Sequence, residues 1–188
     1  MTQALPSLKD HCRTTVAELI RICQDRAVRS ALRPLLAGIP DMQIRAMRYL
    51  PRNAPVNQDL LYLIAGLVAE YPCSLPEPNN VMSFGASLYK LSQHPDIKAT
   101  GIERRLESLL QLELDSLMQP LHSLVVQFSS TQSSKTSIVI DYATLLYHLR
   151  CWDDSRKWVQ LTWARDFWCP KEDGKEQNSD ETLDIVKS

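Results

Sequence analysis

The chain has 188 residues, 44% of them apolar and 23% charged, which is enough for a real hydrophobic core and excludes wholesale disorder. No apolar run approaches the ~20 residues of a membrane span, and the opening residues lack a signal-peptide pattern, so the expected location is the cytoplasm. The formal charge of −1 is unevenly spread: residues 171–188 hold three lysines against six acids, whereas Arg13 to Arg52 includes eight arginines, no lysine and only Glu18, Asp25 and Asp41 as acids.

Helical periodicity dominates. Asp10 is the expected cap of a first helix whose apolar face is Val16, Leu19, Ile20 and Cys23. Asp25 caps a second, with Val28, Ala31, Leu32 and Leu35 inward and Pro34 disturbing its end. Asp41, after Pro40, opens a third that stops at Pro51. Asn57 starts a strongly apolar fourth through Leu60, Leu61, Leu63, Ile64, Leu67 and Val68, closed by Tyr71-Pro72. Residues 72–80 read as a loop, and Asn80 as the cap of a helix running to about Gln93.

His94 to Thr100 is a break and the expected lobe boundary. Ile102, Leu106, Leu109 and Leu110 mark a further helix; Leu117, Leu121, Leu124, Val125 and Phe128 mark another, with Pro120 suited to its first turn. Residues 129–137 form a Ser/Thr-rich linker, expected to be mobile. Asp141 begins a helix with Tyr142, Leu145, Leu146 and Leu149 on one face, and Asp153 or Asp154 caps the last, which carries Trp158, Leu161, Thr162, Arg165 and Trp168. The sole β-branched run, Ile138-Val139-Ile140, is too short to imply a sheet. The expectation is an all-α fold of two small helical lobes, 10–95 and 101–169, between a flexible arm at 1–9 and a disordered acidic tail at 170–188.

Chemistry is sparse. No Walker loop, dinucleotide fingerprint, zincin motif or nucleophile elbow is present. Five scattered cysteines (Cys12, Cys23, Cys73, Cys151 and Cys169) with no C-x-x-C pair argue against both a disulfide framework and a zinc site, and read as reduced apolar fillers. The nearest approach to a nucleophile site is His148 with Cys151 and Asp153 or Asp154, but no oxyanion donors are evident and the pair reads better as neighbours beside an apolar seam. The four tryptophans, all between Trp152 and Trp168, offer base-stacking platforms but are spaced mostly for burial. No catalytic residue, metal, cofactor, small-molecule substrate or membrane partner is expected.

Arginine carries the stronger signal, since its planar fork suits phosphate. Arg26, Arg29 and Arg33 stand at i, i+3, i+7, and Arg45, Arg48 and Arg52 repeat that spacing on the next helix. Arg104 and Arg105 are adjacent. One such triplet reads as a solvated face; two in one lobe with few nearby acids read as a phosphate-binding track that relies on partners.

Several stretches in this order and spacing resemble the CasB family, the small subunit of the type I-E CRISPR Cascade surveillance complex. They are Asp25-Arg26-Ala27-Val28-Arg29-Ser30-Ala31-Leu32-Arg33, Phe84-Gly85-Ala86-Ser87-Leu88, residues 101–110 around Glu103-Arg104-Arg105, Ile140-Asp141-Tyr142-Ala143-Thr144-Leu145-Leu146, Leu149-Arg150-Cys151-Trp152 and Trp163-Ala164-Arg165-Asp166-Phe167-Trp168. The resemblance covers about residues 13–168. It implies two helical copies along the belly of a crRNA-guided complex, touching its backbone and large subunits and holding target DNA, including the displaced single strand. By motif, it assigns nucleic-acid contact first to Arg29, Arg33, Arg104 and Arg105, then to Arg26, Arg150, Lys157 and Arg165, the last of which has a structural alternative. Where many family members carry an arginine pair, this chain has His122 and Ser123, so that part of the track is reduced, or supplied by Arg156 and Lys157. A helical protein–protein adaptor without nucleic-acid contact is the main competing reading.

Overall fold

The computed structural model describes residues 7–170 apart from 53, 55, 78–79 and 132–137. Among them are nine α-helices and no strand: α1 (Leu8–Ile22), α2 (Arg26–Leu32), α3 (Pro40–Ala46), α4 (Gln58–Glu70), α5 (Phe84–Ser92), α6 (Ala99–Leu110), α7 (Met118–Ser129), α8 (Tyr142–Arg150) and α9 (Trp158–Trp168). Short 3-10 turns follow α2 (Arg33–Ala37) and α3 (Met47–Tyr49) and precede α7 (Leu114–Ser116). The all-α architecture is as the periodicity indicates. Pro34, which cannot donate, marks the switch from α2 to its 3-10 turn, and Pro120 lies in the first turn of α7. Residues 171–188 of the expected tail and most of the expected linker lie outside the described residues, as do residues 1–6 of the arm.

Asp25, Asn57 and Asp141 cap α2, α4 and α8 as their spacing predicts. Three other caps differ. Ser7, not Asp10, caps α1: its hydroxyl accepts the Asp10 N–H while the Asp10 carboxylate accepts the Ser7 N–H, a reciprocal box that starts the helix at Leu8, inside the expected arm. Ser83, not Asn80, caps α5, and its hydroxyl donates to the Asp166 carboxylate of α9 at 2.6 Å, a tertiary bond that local sequence does not contain. Neither Asp153 nor Asp154 caps α9. Asp154 is held by the Arg156 backbone N–H and guanidinium, and Lys157, with φ +53°, turns the chain into the helix.

Helix α4 is the centre of the molecule, with every residue from Leu60 to Ala69 buried. The turn after α2 packs on one side of it, and α7 and α8 on others. Helix α1 runs along α8, and α5 along α9, so buried apolar side chains from both halves of the chain form one contiguous cluster. Burial all round deprives the carboxyl end of α4 of water, and side chains supply the missing donors. The Tyr142 hydroxyl, buried, sits 3.0 Å from the Leu67 carbonyl and 2.8 Å from that of Tyr71. Arg33 donates to the Ala69 carbonyl at 3.1 Å and reaches that of Glu70 at 3.5 Å.

The α5–α9 contact depends on one missing side chain. A Cβ at Gly85 would stand 2.2 Å from the Trp163 carbonyl oxygen and 2.7 Å from its Cα, so two backbones would have to separate. Gly85→Ala is therefore expected to lower stability by about 3 kcal/mol, as overpacking against an immobile neighbour does, although alanine is the better helix former. Chemical denaturation of the full chain measures it; an unchanged midpoint would show that the helices part easily.

Candidate nucleic-acid interface

The arginine triplet of α2 does not act as one row. Arg26 is exposed and Arg29 half-buried, while Arg33 faces α4, its Nε also 3.6 Å from the Glu70 carboxylate. Arg45, Arg48 and Arg52 are all exposed, and the Arg48 guanidinium lies 4.7 Å from the centre of the Tyr49 ring. On α6, Arg104 and Arg105 project into solvent beside Glu103, whose carboxylate accepts the Trp168 indole N–H at 2.9 Å. Arg150 ends α8 exposed, and Lys157 is exposed at the left-handed entry to α9. Arg165 is exposed with its Nε 3.4 Å from the neighbouring Asp166 carboxylate. His122 is half-buried and Ser123 exposed. Arg156 clasps Asp154 through two bonds of 3.0 and 2.9 Å, which occupies the fork expected to substitute for the missing pair. Among the described residues, Arg33, Arg156 and Arg165 are the arginines that pair with a carboxylate. The other guanidinium groups have no carboxylate partner there.

Packing adds a concavity that spacing did not disclose. A groove of about 1010 Å³ runs between α1, the start of α2 and residues 48–52. Its basic lining is His11, Arg21, Arg48 and Arg52, against Glu18 and Asp25, over a floor that includes Val28 and Leu50. Spacing alone does not single out Arg21, although it belongs to the same lysine-free run. Its convergence with Arg48 and Arg52 depends on how the turn after α3 folds back on α1. Cations along the walls of a cleft with an apolar floor concentrate potential more than the same charges on a convex face.

The rest of the chemistry serves the interior. His148 is buried and its Nδ1 accepts the Trp163 indole N–H at 2.9 Å; burial and the nearby Lys9 charge lower its pKa to about 4, against a partial opposing pull from Asp141 and Asp166. Trp152 and Trp163 are core, and the Trp152 N–H donates to the Leu112 carbonyl at 2.9 Å. Trp168, exposed, is the tryptophan best placed for stacking, and it is tethered to Glu103. All five cysteines are free, and burial pushes the thiols of Cys12, Cys23 and Cys73 up to about 11, away from reactive thiolate. Among the described residues no cluster of histidine, cysteine and acidic side chains could hold a metal ion, and no helix is long and apolar enough to cross a membrane.

Comparison with known proteins places this arrangement. The family model described as CRISPR-associated protein Cse2 matches residues 19–168. The Cse2-family protein TTHB189 of Thermus thermophilus is 25% identical, with a TM-score of 0.65 over 84% of this chain and 97% of that one. M. ruber CasB shares the fold at 24% identity and a TM-score of 0.60, over 80% and 90% of the two chains. A chain of a CRISPR RNA-guided surveillance complex does so at 23% and 0.67, over 86% and 92%. No curated protein matches.

The buried histidine yields a pH signature. Its pKa is about 4 when folded against an ordinary 6.5, so below about pH 6.5 the unfolded state takes up a proton that the folded state refuses. Stability is therefore expected to fall as pH drops through that window, by up to about 3 kcal/mol from this group, and to level off below about pH 4. His148→Gln, which keeps an acceptor for Trp163, should flatten the fall; denaturation midpoints at about pH 7 and about pH 4.5 decide it.

Proposed function

The chain belongs to the Cse2 family of CRISPR-associated proteins, and on that premise we propose that it is the non-catalytic small subunit of a crRNA-guided type I-E Cascade complex. In this reading it binds nucleic acid through arginines, contacts the complex's backbone and large subunits and a second copy of itself, and holds target DNA with its displaced strand. The observation that carries the proposal is the set of exposed arginines without a carboxylate partner, Arg26, Arg45, Arg48, Arg52, Arg104, Arg105 and Arg150 among them. Half-buried Arg29 and exposed Lys157 extend the set. The groove that gathers Arg21, Arg48 and Arg52 is its concave element. The lobes 10–95 and 101–169 would present two basic faces to one strand.

Physically, opening a target duplex against a guide RNA exchanges one helix for another of similar stability, so holding the expelled strand tips the balance. Holding requires charge and shape, not base readout. Arginine forks on phosphates meet that need, and sequence choice stays with the guide. The adaptor reading has an observation of its own, the exposed Ile39, Ile44 and Met47 around α3, a surface suited to a protein neighbour.

Two paired substitutions separate the readings. In the assembled complex, Arg48→Ala with Arg52→Ala, and Arg104→Ala with Arg105→Ala, are each expected to weaken retention of the displaced strand. Each should also lower the salt dependence of target binding, by about one unit for every phosphate no longer neutralised. Unchanged strand protection with impaired assembly would instead favour the adaptor. Arg33→Ala is expected to act in part through the fold, costing about 1 kcal/mol by removing the bond to the part-buried Ala69 carbonyl.

A further inference from the structure

We propose that the acidic end of this chain, residues 176–186, docks in the groove between α1, the start of α2 and residues 48–52, and covers the arginines there until a strand displaces it. The docking rests on the groove and the tail alone. Only its consequence for a strand rests on the function proposed above.

The groove combines an excess of positive charge with an apolar floor. Arg21, Arg48 and Arg52 line it against Glu18 and Asp25, and none of the three arginines has a carboxylate partner among the described residues. Asp25 accepts the Ala27 N–H at 2.7 Å as the cap of α2. The excess continues past the groove, since Arg26, Arg29 and Arg45 also lack a carboxylate partner there. An extended segment meets such charges one after another, so they need not converge on one point. Among them Ile22, Val28, Tyr49 and Leu50 line the same groove and are each only half-buried. A chain of charges alone leaves that floor in contact with water; apolar side chains set among acids cover it.

Residues 176–186 have that composition. They carry four acids (Glu176, Asp180, Glu181 and Asp184) and no base, with Leu183, Ile185 and Val186 set among them. Lys171, Lys175 and Lys187 all fall outside the segment. These residues lie outside the described ones, so the placement rests on composition and reach. Asp184 stands fourteen residues after Pro170. Fully extended, such a length spans up to about 50 Å, against a radius of gyration of about 15 Å for a fold of this size. Attachment to the same chain raises the effective concentration of the segment to about the millimolar range, so weak contacts suffice.

The first measurement needs no nucleic acid. A photo-crosslinker in the full chain, Thr182→benzoylphenylalanine, is expected to bond within one copy to residues 21–28 or 48–52, as located by mass spectrometry. Asp180→Asn with Glu181→Gln and Asp184→Asn should abolish that bond. Crosslinks scattered over the surface, or formed only between copies, would overturn the docking.

The second measurement is the affinity of the full chain for a short single strand at low salt. Neutralising the three acids is expected to tighten it about tenfold, a gain that fades as salt rises. Leu183→Ser with Ile185→Ser leaves the net charge unchanged and should tighten it as well. With Arg48→Ala and Arg52→Ala in place, both gains should largely disappear. A gain from the neutral tail that the serine pair does not share, or one that survives loss of the groove arginines, is a general charge effect and overturns the proposal. A groove crosslink with strand affinity unchanged in every tail variant keeps the docking and removes its consequence, together with the groove's part in strand holding.

Discussion

The carboxyl end of α4 is the constraint around which the rest of the molecule is arranged. A helix buried from Leu60 to Ala69 ends against protein, and its last carbonyls take donors from other elements. Tyr142 and Arg33 answer that demand from α8 and from the junction of α2 with its 3-10 turn, and in doing so they tie both halves of the chain to the central helix. The same demand explains why α8 begins where it does. Asp141, buried and bonded to Thr144, caps the helix whose first residue must deliver a hydroxyl to α4.

This constraint divides the arginines into two populations. Arg33 bonds the end of α4, Arg156 fixes a turn, and Arg165 lies beside Asp166, whose carboxylate also receives the Ser83 hydroxyl at the α5 cap. The remainder have no carboxylate partner among the described residues. A row that is regular along the helix is therefore irregular in its contacts, because Arg33 reaches the end of α4. The groove compensates by bringing Arg21 of α1 toward Arg48 and Arg52. On the function proposed above, a strand would follow a surface made of several elements, not one helical face.

Much of the architecture was legible in the residues. Apolar spacing located the helices, and Asp25, Asn57 and Asp141 announced their starts, because a cap is a bond within four residues of chain. The caps that differ are those with longer reach or a better rival. Asn80 lost to Ser83, which also bonds Asp166 across the fold, and Asp154 was claimed by Arg156. Of the tryptophans, Trp152 and Trp163 are core as read, while Trp158 is half-buried and Trp168 lies at the surface. Gly85 stood inside a motif, but its meaning appears only when the Trp163 backbone arrives where a side chain would be.

By itself, then, the sequence determined a helical protein, the order of its elements, its unequal arginine content and its family, since each of these is written in local spacing or motif. Tertiary structure alone decided which arginines remain free, because a guanidinium's partner is chosen by whatever packing brings within reach. It tied Arg33 to the end of α4, placed Arg21 in a shared groove with Arg48 and Arg52, and gave His148 a Trp163 partner. Residue types state what a side chain is able to bind. Only the fold states what is left for it to bind.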